Sequence, residues 1–170
     1  MRDLEPVWPD APRLVPNAPF PRYRFIGGVH PHPRTSPAGS LYGQPPYPAG
    51  LPAASWRDDR SWLLGIDLYH AGYLWEAHEA WEACFFASSD PPHRALVQAL
   101  IQLAAALIQE HKERPRGVEI LVAAVRTKLG RVLAAVPEGG RLAGLDPRSL
   151  LADVDRHFDS SGPAPRLQTA

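Results

Sequence analysis

The sequence predicts an all-α protein, a compact bundle of about four to five helices preceded by an extended proline-rich N-terminal arm packed on the body. Apolar residues recur at helical spacing through residues 56–159, and no comparable period-two strand pattern appears. Thirteen of the twenty prolines precede residue 55, where a fixed φ and missing N–H groups disfavour helices. We therefore predict an arm over 1–55, a helical domain over 56–159 and a flexible tail over 160–170.

Composition narrows the classes of function. A chain of 170 residues is long enough for one domain with a hydrophobic core. Its 18 basic and 18 acidic side chains balance, which argues against a nucleic-acid or anionic-membrane partner. The N-terminal MRDLEPVWPD lacks the apolar run of a signal peptide, and the apolar segment 95–108 is too short to span a bilayer. We expect a cytoplasmic protein with Cys84 as a packed thiol.

The first two helices of the domain follow from capping residues and periodicity. Asp58, Asp59 and Ser61 offer N-capping oxygens for a first helix, and Gly72 suits its C-terminal end. The second helix should continue from there to about Ala87. Apolar residues at helical spacing in the first helix are Trp62, Leu63, Ile66 and Tyr69.

Three further helices are predicted in the same way. Asp90 and the two prolines after it begin a third helix, which should run to about Lys112 and occupy the centre because it is apolar on several sides. Pro115 opens a fourth helix that ends before Pro137. A short last helix follows Asp146, and the polar tail after it is expected to fray.

The second helix carries ionisable residues among its apolar ones, in YLWEAHEAWEACFF. At about 100° per residue, His78 falls on the apolar arc and is expected to face the core, with Glu82 on the shoulder. Glu76 points the opposite way and, like Glu79, is expected at a rim or in solvent. The residues of the apolar arc are Leu74, His78, Trp81 and Phe85.

His78 and Glu82 are the predicted catalytic pair and the predicted first metal ligands. Residues four apart share one patch of helix surface, so the carboxylate can orient the imidazole as a general base or bind a divalent metal with it. Zinc sites take at least three protein ligands, so a further donor is needed. Further donors are sought in Glu79, Gln98, Gln102, His30 and His32, and the predicted ligand-binding residues are Gln98, Gln102, Glu79 and Phe85.

Three functions remain open at this point. The first is a His/Glu/Gln pocket for a small polar ligand or divalent metal, with hydrolytic or acid/base chemistry. The second is a non-enzymatic helical scaffold or protein-interaction module, with a protein partner or a second copy of the chain, in which His78 and Glu82 are a structural pair. The third, regulatory nucleic-acid binding, is disfavoured by the balanced charge.

The residues also resemble a known family. DLYHAGYLWEAHEAWEACF, followed by ALVQALIQLAAALIQ and RPRGVEIL, resembles the bacterial and archaeal domain-of-unknown-function family 309 over roughly residues 66–129. The family's H-x-x-x-E-x-x-W pattern falls on His78 and Glu82, with Phe85 in place of the tryptophan. YRFIGGVHPHP and PAGSLYG in the arm resemble segments of longer members. The resemblance implies a small all-helical domain, and the family carries no established reaction.

Overall fold

The structure, a computed structural model, describes residues 3–170. Over these residues it contains five α-helices and no β-strand, which confirms the predicted all-α class. A 3₁₀ turn at Ala53–Ser55 precedes the first helix. The helices are α1 (Arg60–His70), α2 (Leu74–Ala87), α3 (Pro91–His111), α4 (Pro115–Ala135) and α5 (Pro147–Ser160).

Aspartate caps open three of the helices, as the sequence predicted. At the start of α1, the side chain of Asp59 accepts a hydrogen bond from the Trp62 N–H. The side chains of Asp90 and Asp146 accept hydrogen bonds from backbone N–H groups in the first turns of α3 and α5. A capping carboxylate satisfies backbone donors that have no partner within the helix and lies favourably at the positive end of the helix dipole. Proline in the first turn of α3, α4 and α5 removes a further donor.

Helix α3 lies at the centre of the bundle. It packs against α2 on one side and α4 on the other, while α1 contacts α2 and α5 contacts α4. Four leucines at helical spacing on α3 form a buried stripe in the middle of one continuous apolar core. The buried stripe consists of Leu96, Leu100, Leu103 and Leu107.

None of the helices in the described part of the chain combines the length and apolarity needed to cross a bilayer.

Two tryptophans fill the space between α1 and α2. The side chains of Trp62 and Trp81 are fully buried, with ring centroids 6.5 Å apart. Gly65 lets α1 approach the indole of Trp81, since glycine has no Cβ. A Cβ at this position would lie 2.6 Å from Trp81 Cδ1 and 2.7 Å from Trp81 Cε2. Contacts this short do not occur between real atoms, so α1 and α2 can pack this closely only with glycine here.

The arm lies on α1 and α2 as irregular chain with many turns and bends, and carboxylates of the helical domain accept some of its backbone N–H groups. Asp67 accepts from the N–H groups of Leu14 and Val15, at 2.8 Å each. Asp59 accepts from Leu51 N at 2.7 Å. Because irregular chain lacks the regular hydrogen bonds of helices and sheets, these side chains supply the acceptors that burial requires.

The end of the chain packs against α1. Leu167 is 3% exposed, and its backbone N–H donates to His70 Nε2 at 3.0 Å. Tyr69 OH donates to the carbonyl of Pro165 at 2.8 Å. Burial lowers the pKa of His70 to about 4, which keeps Nε2 unprotonated and able to accept. Leu167 packs here because an apolar side chain among polar ones gains free energy by burial.

Candidate functional site

Helix α2 buries a different arc from the one predicted. Leu74 and Trp81 are buried as expected, and Ala77, Ala80 and Cys84 complete the inward face. His78 lies at the edge of this face, with 28% of its side chain exposed. The small residues let neighbouring helices approach closely, so the face is centred on the alanines, one position away from the histidine.

Glu76 is the functional candidate that sequence reasoning missed. We predicted it at a rim or in solvent, and this prediction was wrong, because the arm covers the face of α2 on which it lies. Its Oε1 accepts from Phe25 N at 3.1 Å, whereas its buried Oε2 has no hydrogen-bond partner within the part of the chain that the structure describes. Burial raises the pKa of Glu76 to about 7, with Glu79 adding to the rise and the Phe25 N–H opposing it.

Replacing Glu76 by glutamine is expected to flatten the pH dependence of stability. In the wild type the pKa rises from the ordinary 4.5 to about 7 on folding, so the folded state binds this proton more tightly than the unfolded chain. The resulting stabilisation is fully present below pH 4.5 and is lost as the pH rises through 7, amounting to roughly 3 kcal/mol at most. Urea unfolding at pH 5 and pH 8 measures it. The control Glu138→Gln changes an exposed loop residue and should keep the pH dependence of stability of the wild type. If Glu76→Gln also kept that pH dependence, Glu76 would not be the group responsible for it.

His78 and Glu82 lie on adjacent turns of α2, as their spacing predicted. His78 Nε2 is 3.7 Å from Glu82 Oε1, and the Glu82 side chain is 39% exposed. This separation exceeds a hydrogen-bond distance, so the two groups do not form a direct hydrogen bond. His78 Nδ1 is buried and also lacks a partner. Among residues 3–170, neither ring nitrogen of His78 therefore makes a hydrogen bond to another group of the protein.

Glu79 completes a cluster of three potential metal ligands, the His78/Glu79/Glu82 cluster. One ligand atom from each residue lies within 4.8 Å of the others. Glu79 Oε2 also accepts from Arg34 Nε at 3.1 Å, so the arm contributes a cation beside two carboxylates. Such a set of one imidazole and two carboxylates matches the ligands of borderline divalent metals.

A cleft of about 700 Å³ opens beside this cluster, between α2 and the arm. Glu79 and Glu82 line one side, and Arg34 and Tyr47 line the other, with the Arg34 guanidinium 5.1 Å from the Tyr47 ring centroid. Burial raises the pKa of Tyr47 to about 12, so its phenol stays protonated. The cleft thus combines anionic groups, one cation and a neutral hydroxyl.

The remaining predicted site residues are distributed around the molecule. Phe85 and Gln98 line a different cleft, and Gln102 carries a buried Oε1 without a partner. His30 Nδ1 accepts from Ile26 N, and His32 Nδ1 from the N–H groups of Arg34 and Thr35. In the described part of the chain, the three clustered potential ligands therefore all come from α2.

Cys84 is buried, which confirms that it is a packed thiol. Burial, and secondly the carboxylate of Asp59 at 3.8 Å from Sγ, raise the pKa of this thiol far above its usual range. The thiolate is the nucleophilic form of cysteine, so Cys84 is not a nucleophile at neutral pH.

Comparison with known proteins finds a family match that includes α2, the helix that carries the His78/Glu79/Glu82 cluster. Residues 62–121 match the family model described as Domain of unknown function (DUF309). No curated protein and no solved structure matches the chain. The matched range contains most of α1, all of α2 and α3, and the beginning of α4. The family resemblance found in the sequence is thus confirmed over residues 62–121 of this chain.

Proposed function

We propose that the chain binds a divalent cation through His78, Glu79 and Glu82. The observation that carries this proposal is the convergence of three ligand atoms within 4.8 Å on two turns of one helix. Two carboxylates outweigh the single nearby guanidinium of Arg34, so the cluster attracts a cation. His78 Nε2 and Glu82 Oε1 are 3.7 Å apart, too far for a direct hydrogen bond, so an ion bound between them would displace no hydrogen bond of this pair.

The ligand chemistry favours zinc, manganese or iron over calcium. Imidazole nitrogen suits borderline transition metals, whereas calcium takes six to eight oxygen ligands. Three protein ligands leave coordination positions open for water or substrate, as in catalytic rather than structural zinc sites. The proposed site is therefore suited to chemistry at the ion.

Hydrolysis of a small polar substrate is the reaction class that this arrangement supports best. A divalent ion supplies a water molecule of lowered pKa, and the neighbouring cleft has room for a substrate of small-molecule size. Arg34 would position an anionic group there, and the neutral Tyr47 hydroxyl would donate a hydrogen bond.

Isothermal titration calorimetry with zinc and manganese tests the proposal. The untagged wild-type protein should bind one ion per chain. His78→Ala and Glu82→Gln should each weaken binding at least tenfold, because each removes one of three ligands. Glu138→Gln, which removes an exposed loop carboxylate far from α2 in sequence, should bind as the wild type does.

Two results would overturn the metal proposal. One is a wild-type protein that takes up no ion at micromolar concentrations, and the other is an affinity unaffected by His78→Ala and Glu82→Gln. Circular dichroism of each variant separates loss of a ligand from loss of folding. Since both side chains are partly exposed, the variants are expected to fold.

A scaffold role is the second candidate function, and one observation favours it. Phe86 is 75% exposed and lines the cleft between α2 and the arm, together with the apolar face of Tyr47. Exposed aromatic side chains are common anchors of protein interfaces. A protein partner or a second copy would then occupy the cleft, and the failure of the metal titration would favour this function.

A further inference from the structure

A second cleft lies between the N-terminal half of α3 and the C-terminal half of α4. Its volume is about 550 Å³, within the range of small-molecule sites. Phe85, Pro91 and Pro92 form apolar parts of the wall, and Gln98 adds a neutral amide. This cleft is separate from the His78/Glu79/Glu82 cluster, whose residues are not among its lining.

The charge of this cleft is entirely positive. Arg94, Lys128 and Arg131 line it, and no carboxylate does, although the whole chain has a net charge of zero. Among residues 3–170, neither Lys128 nor Arg131 takes part in an ion pair. By contrast Arg126, on the same helix, is paired with Asp155 and Asp159 at 2.8 and 2.7 Å. The cations of the cleft are therefore uncompensated, which favours an anionic ligand.

Arg94 is held in place before any ligand binds. Its Nη1 donates to the carbonyls of Phe85 and Ser88, at 2.6 and 2.9 Å, and its guanidinium lies 4.0 Å from the Phe85 ring centroid. Carbonyl and ring contacts orient the guanidinium while leaving its positive charge uncompensated by a carboxylate. An anion in the cleft thus meets a guanidinium with little orientational entropy left to lose.

We propose that this cleft binds a small organic phosphate. Guanidinium and ammonium groups make charge-assisted hydrogen bonds to phosphate oxygens. Three cations in one cleft suit a doubly charged phosphate group better than a singly charged carboxylate. Phe85 and the two prolines provide an apolar surface for the organic part. The site does not depend on the proposed metal centre.

The test is calorimetric titration of the full chain with phenyl phosphate, inorganic phosphate and phenol. Phenyl phosphate should bind at one site, more tightly than inorganic phosphate, and phenol should not bind measurably. The double variant Lys128→Gln/Arg131→Gln should weaken phenyl phosphate binding at least tenfold. The charge-matched control Arg116→Gln/Arg148→Gln, at exposed positions of α4 and α5 outside the cleft, should stay close to the wild type.

The control also separates a ligand site from mere stabilisation of the helix. In the alternative case, the cations in the second half of α4 only stabilise the helix by interacting with its dipole. The double variant would then be less stable than the wild type, and neither protein would show saturable binding of phenyl phosphate. That result would overturn the proposal, as would an equal loss of affinity in both double variants. Phenol binding as tightly as phenyl phosphate would overturn the phosphate specificity.

Discussion

Replacing Gly65 by alanine is expected to destabilise the protein by about 3 kcal/mol. The new Cβ would overlap the fully buried indole of Trp81, and overpacking of a filled core costs roughly 1–3 kcal/mol or more. Displacing the ring also weakens the contact of Trp81 Nε1 with the Trp62 carbonyl, at 3.4 Å. Alanine regains about 1 kcal/mol of helix propensity, which is smaller than these losses. Urea unfolding monitored by tryptophan fluorescence measures the change.

The chain offers a matched control for this substitution. Gly130 lies within α4, is exposed, and a Cβ there would meet no atom within 4 Å. Gly130→Ala should therefore stabilise the protein by about 0.5–1 kcal/mol through propensity alone. If Gly65→Ala also stabilised the protein, the close packing of α1 on Trp81 would be wrong.

Replacing Asp67 by alanine is expected to cost about 3–5 kcal/mol and to release the start of the arm. The carboxylate is 2% exposed and accepts two backbone N–H groups and Arg13 Nε, so its removal leaves buried donors and a charge without a partner. Hydrogen exchange at Leu14 and Val15 should accelerate strongly. Limited proteolysis should cut the arm before the helical domain.

Two variants sharpen this prediction. Asp67→Asn keeps the shape of the side chain but turns an acceptor into a donor facing the arm, so it should also be strongly destabilising. Asp58→Ala removes an exposed aspartate just before α1 and should change stability by less than about 0.5 kcal/mol. Unaltered exchange at Val15 in Asp67→Ala would show that the carboxylate does not hold the arm.

The fold was predictable from local signals. Aspartate and proline mark the starts of α3 and α5 in the sequence as clearly as in the structure, because capping is a short-range interaction. The leucine stripe of α3 likewise depends only on helical spacing. What local patterns did not reveal was the Gly65 contact, since its cause is a tryptophan on another helix.

The candidate site was predictable only in part. The spacing of His78 and Glu82 placed them on adjacent turns, and of the further donors considered in the sequence the structure brings Glu79 to them. The burial of Glu76 depends on the arm crossing α2 near Phe25, a long-range contact that helical periodicity does not encode. The sequence predicted that the arm would pack on the helical body, but not which surface it would cover.

The ion pair between Arg34 and Glu79 couples the binding of the arm to the proposed binding of an ion on α2. One carboxylate serves both as an anchor for the arm and as a potential ligand on α2. An ion taken up by the cluster would compete with the guanidinium for that charge, and by reciprocity a detached arm would tighten the hold on the ion. The proline-rich segment would then act as a negative effector of metal affinity, tunable at a single arginine.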